Sequence, residues 1–64
     1  MAAEREIIFE FLRIGPSVKV TAVDVASGIE VSIVGDPAAG EPALRRLATQ
    51  KLRYVMTKAS ERKH

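Results

Sequence analysis

The chain has no cysteine and no tryptophan, and its one histidine is the last of 64 residues. Each absence excludes something. Without cysteine there is no disulfide framework, and one histidine with no CxxC or HxxxH spacing leaves no structural metal motif. Uninterrupted apolar runs stop at two or three residues, far short of the roughly 20 that a membrane-spanning helix needs. The opening "MAAEREIIFEFL" is acidic and alternating, without the basic region and apolar run of a signal peptide. The expectation is a cytoplasmic protein that makes no membrane contact and holds no cofactor.

Length sets the next bound. A chain of 64 residues makes one domain, and at this size only about 60% of the unfolded surface can be buried. The core will be thin. With disulfides and metals excluded, oligomerisation is the remaining way to reinforce it.

What the chain does have is an uneven charge distribution. Its net charge of +2 divides into −4 over residues 1–43 (three basic, seven acidic) and +6 over residues 44–64 (seven basic, one acidic). A basic C-terminal third can mark a surface for nucleic acid or an acidic partner. It can equally be a helix whose cations complement its own C-terminal dipole.

"REIIFEFLRI" has the β-branched and aromatic content of a strand, and "GPS" after it signals a turn. Pro16 cannot take the positive φ of a type I′ turn, so a connection longer than two residues is expected. "VKVTAVDV" reads as a second strand, "DVASGI" as a turn with Gly28 in the left-handed region, and "IEVSIV" as a third strand. "GDPAAG" then links the sheet to "PALRRLATQKLRYVMTKA", a run of helix formers with proline in its first turn. The pattern predicts an α+β fold, a three-stranded antiparallel meander followed by one amphipathic helix (β-β-β-α). Strands are expected at about 5–14, 18–25 and 29–34 and the helix at about 42–58, with a disordered tail at 59–64.

Period-two alternation sorts the strands into faces. Ile7, Phe9, Phe11, Val18, Val20, Ala22, Ile29, Val31 and Ile33 form the core face, which the helix should cover. The reverse face holds Ile8, Glu10, Leu12, Ile14, Lys19, Thr21, Val23, Val25, Glu30, Ser32 and Val34. Half of it is apolar, whereas a sheet open to water normally reads polar on its outside. Ile8, Leu12, Val23, Val25 and Val34 are therefore the candidate protein interface, for a second copy or another protein. The competing explanation is that these β-branched residues serve strand propensity alone.

The helix breaks its own pattern once, at Lys51, inside the apolar arc. Either the lysine stem lies along the core and its amine reaches solvent, or it pairs with Asp24. The third strand, with Glu30 as its one charged guard, is also an edge to which a partner strand could add.

"VKVTAVD", "SGIEVSIVG" and "KLRYV" at Lys51 to Val55 together resemble a family of short uncharacterised bacterial proteins, known mainly from proteobacteria, a domain of unknown function. The resemblance spans roughly Glu6 to Met56. It implies a stand-alone cytoplasmic β-β-β-α domain and carries no site residues.

No catalytic set emerges. Ser17, Ser27 and Ser32 have no histidine within the fold to act as base, Glu10 and Glu30 with Lys19 read as a cross-strand charge lattice, and "GDPAAGEP" matches no phosphate-binding loop. The chain is expected not to be an enzyme. Two functions remain: a protein-interaction or self-association module using the outer sheet face, or a nucleic-acid binder using Arg45, Arg46, Arg53, Lys58, Arg62 and Lys63. The second lacks the stacking aromatics that single-strand readers place on an open sheet.

Overall fold

Two turns fold the first half of the chain into a sheet. The computed structural model describes residues 6–61, with strands β1 (Ile7–Ile14), β2 (Ser17–Asp24) and β3 (Glu30–Gly35), a 3-10 turn (Pro37–Ala39) and helix α1 (Glu41–Glu61). The strands pair antiparallel in the order β1-β2-β3. This is the β-β-β-α arrangement read from the sequence.

The first turn is tighter than expected. Ile14 pairs directly with Ser17, so Gly15 and Pro16 alone make the connection. Gly15 has φ +58°, the positive value that a type II′ turn demands at its first central position, and the second takes the negative φ to which proline is locked. Proline excludes the I′ turn but suits this one.

The second turn ends β2 at Asp24, one residue earlier than expected, so Val25 lies in the loop. Asp24 organises it: its N–H donates to the Ile29 carbonyl at 2.9 Å, and its carbonyl accepts from Gly28 N at 2.8 Å. Its Oδ2 accepts from Ser27 N at 3.0 Å. Gly28 takes φ +77°, as the loop chemistry required.

Between sheet and helix, Asp36 Oδ1 accepts from Ala38 N at 2.9 Å and caps the 3-10 turn. The Gly40 carbonyl accepts the first helical bond, from Leu44 N at 3.1 Å. Pro42 then stands in the first turn, where its missing N–H is not needed. The helix runs to Glu61, so residues 59–61, expected in a disordered tail, are helical; 62–64 lie outside the described residues.

The core is small. Leu44, Ala48 and Leu52 of α1 are buried against Val18, Val20 and Ala22 of β2 and Val31 of β3. Gly35 belongs to this contact, because a Cβ there would stand 2.5 Å from Leu44 Cδ2. The helix packs on the inner face as expected, most closely on β2 and β3; Ile7, Phe9 and Phe11 of β1, like Ile29 and Ile33 on the side of β3, are half-buried against this core.

Leu52 is fully buried at the centre of this contact. Leu52→Ala should cost about 2–5 kcal/mol, most of what so small a core supplies. A urea titration followed by circular dichroism measures it, with the variant largely unfolded before denaturant is added.

Candidate interaction site

The strand register lays the outer face out in rows. Ile8, Val23 and Glu30 form one row; Glu10, Thr21 and Ser32 the next; Leu12, Lys19 and Val34 the third; Ile14 lies beyond, opposite Ser17. Exposure is high along it, at 49% for Ile8, 59% for Leu12 and 68% for Val34. Val23 is half-buried between its neighbours. Val25 is exposed in the turn past β2, beside Glu6, whose carbonyl accepts from its N–H at 3.0 Å.

The structure thus brings Ile8 and Val23 together and sets Leu12 near Ile14, while Lys19 separates Leu12 from Val34. A polar row interrupts the face, held by a 3.0 Å hydrogen bond between the Thr21 and Ser32 hydroxyls. The apolar surface is two clusters that share β1, with Ile14 part of the second.

Lys51 resolves the break in the helical pattern. Its Nζ donates to the Ser32 carbonyl at 2.8 Å, so it does not reach Asp24; the side chain is exposed and its ammonium ends on the outer edge of β3. Asp24 is fully buried on the same face as Val18, Val20 and Ala22, two residues apart along β2. That alternation was the signal for its burial. The edge of β3 that the sequence left nearly unguarded has a cation on its central outward carbonyl.

On the opposite flank of the helix, the Arg45 guanidinium lies 5.2 Å from the Phe9 ring centroid and 5.5 Å from that of Phe11. Such placement over aromatic faces is attractive. Either side of it, two open clefts separate α1 from β1. One, of about 490 Å³, is lined by Ile7, Asp24, Leu52, Arg53, Met56 and Thr57; the other, of about 260 Å³, by Phe11, Arg13, Val18, Pro37, Glu41 and Leu44. Sequence reasoning missed this groove, which depends on where along the sheet α1 seats.

The basic residues do not form one free stripe. Arg45 is committed to the Phe rings and also lies 3.5 Å from Glu41; Lys58 lies 3.7 Å from Glu61 and 5.7 Å from the Tyr54 ring. Arg46 and Arg53 are exposed two turns apart, and Arg62 and Lys63 fall outside the described residues. Among the described residues no group of three or more His, Cys, Asp or Glu could hold a metal ion, and no helix is long and apolar enough to cross a membrane.

A domain with a thin core, one free sheet face and a helix offset from β1 matches a family defined by sequence. A family model described as a domain of unknown function, DUF6898, matches residues 4–59. The chain belongs to that family. No curated protein and no solved structure matches it.

Lys51→Met keeps the stem and removes the ammonium. Folding stability should fall by no more than about 1 kcal/mol, as for one exposed hydrogen bond, while the bared β3 edge should raise the rate of aggregation on heating. Parallel urea and light-scattering measurements separate the two effects.

Proposed function

We propose that this is a small non-catalytic protein-interaction or self-association module, a cytoplasmic protein of bacteria, that works by burying its outer sheet face. The observation that carries it is a comparison of surfaces. The described residues include seven buried hydrophobic ones, while Ile8, Leu12, Ile14 and Val34 stand 49–68% exposed on a single face. Concentrations of apolar surface like this mark interfaces in soluble proteins, and a domain this small gains stability from having one. The bacterial and cytoplasmic assignments rest on the sequence resemblance.

Equilibrium sedimentation at micromolar concentration should find a species heavier than the 7.0 kDa chain, or affinity purification should recover a bound protein. Val34→Glu, at the most exposed of these positions, should weaken the association while changing folding stability by less than about 0.5 kcal/mol. A monomer whose cellular contacts survive Val34→Glu overturns the reading.

The rival, nucleic-acid binding through the helix, has Arg46 and Arg53 in its favour. It requires binding that weakens steeply with salt and is lost in Arg53→Glu. Absence of binding at low salt removes it.

A further inference from the structure

The two edges of the sheet are finished differently. In β3 the even-numbered residues direct their backbone groups outward, and the central one, Ser32, has its carbonyl capped by Lys51. In β1 the hydrogen bond from Val25 N to the Glu6 carbonyl, continued by the alternation of an antiparallel ladder, turns Ile8, Glu10, Leu12 and Ile14 toward β2. The odd-numbered residues therefore present free N–H and C=O groups along the other edge. Eight consecutive pairs run without a bulge or proline, and among the described residues no side chain reaches the outward groups of Phe9, Phe11 or Arg13. The Phe9 and Phe11 side chains at these positions are half-buried at the margin of the core, beside Arg45.

We propose that a second copy of this chain adds to β1, antiparallel about a two-fold axis perpendicular to the sheet, to make a six-stranded sheet with both helices on one side. This goes beyond the outer-face reading, since it uses the edge and inner side of β1. The sequence of β1 selects the register. A two-fold at Glu10 would set like charges directly opposite each other, and one at Phe9 would pair only residues 7–11. A two-fold at Phe11 pairs residues 8–14, as long a match as the Glu10 register and free of its charge clash. It sets Phe11 against its counterpart, Phe9 against Arg13, Glu10 against Leu12 and Ile8 against Ile14.

The register keeps Arg13, the charged residue among the inward-facing positions of β1, off its own counterpart and sets it against Phe9 of the second copy, a ring that Arg45 of that copy also approaches, at 5.2 Å. The helices, each over β2 and β3, would lie about 19 Å apart, four strand spacings. Phe9 and Phe11 of both copies floor the valley between them. Because Lys51 caps β3, pairing ends at two copies and the assembly closes instead of growing into a fibre.

Amide exchange by NMR, over a concentration series from about 10 μM to about 1 mM suited to so small an interface, tests this on the unmodified chain. The amides of Phe9, Phe11 and Arg13 should be unprotected in dilute solution and slow by about tenfold or more as the dimer forms. Ile7, left over by the register, should stay fast. Arg13→Pro removes an outward donor without touching the ladder to β2 and should abolish association while keeping the circular dichroism spectrum. A dimer in which these three amides stay fast at every concentration overturns the proposal, as does a chain that remains monomeric at the highest concentration. Val34→Glu lies on β3, far from this edge, and should leave the pairing intact, so loss of outer-face binding and loss of edge pairing are read separately.

Discussion

Where the apolar row of α1 seats on the sheet decides which strand lies at the margin of the core. Three strands span about 10 Å between their outer axes, close to the width of one helix, so a small offset is enough to favour two of them. Leu44, Ala48 and Leu52 seat α1 in the concavity of Val18, Val20, Ala22 and Val31, and β1 is the strand at the margin. The half-exposed Phe9 and Phe11, the Arg45 guanidinium lying over them and the clefts at either end of that contact all follow from this offset. With its outer face also bare, β1 is the part of the molecule most available to a partner.

The same offset explains how the other edge is handled. Seating the helix toward β3 brings Lys51 within reach of the Ser32 carbonyl, which a centred helix would not do. A residue that violates the amphipathic pattern thereby acquires a position on the sheet edge, its charge on a backbone acceptor.

The order of elements, the split of β-residues between two faces and the amphipathic helix were legible in the sequence because each rests on local periodicity. Turn geometry was legible at Asp24 and Gly28, where side-chain chemistry dictates the loop, but not at Gly15–Pro16, because the proline that forbids one hairpin turn permits another. Apart from Val25, which falls in the turn past β2, the candidate interface residues lie where alternation placed them, yet their interruption by Lys19 and by the Thr21–Ser32 bond depends on register across strands. The placement of the helix over two strands, and with it the groove beside β1 and the roles of Arg45 and Lys51, is a tertiary packing decision that no single stretch encodes. The burial of Asp24 was readable from its parity with Ala22.

The tight turn at Gly15–Pro16 carries more than a change of direction. In most half-buried sheets a one-residue slip between strands is penalised at once, since it exchanges the apolar set for the polar one. Here β1 places Ile7, Phe9 and Phe11 on one side and Ile8, Leu12 and Ile14 on the other, so slippage would trade one greasy side for another at little cost. Hydrophobicity alone leaves the alignment of β1 nearly degenerate. A two-residue loop whose backbone angles suit one glycine and one proline removes that degeneracy, and so decides which side of the strand meets the core.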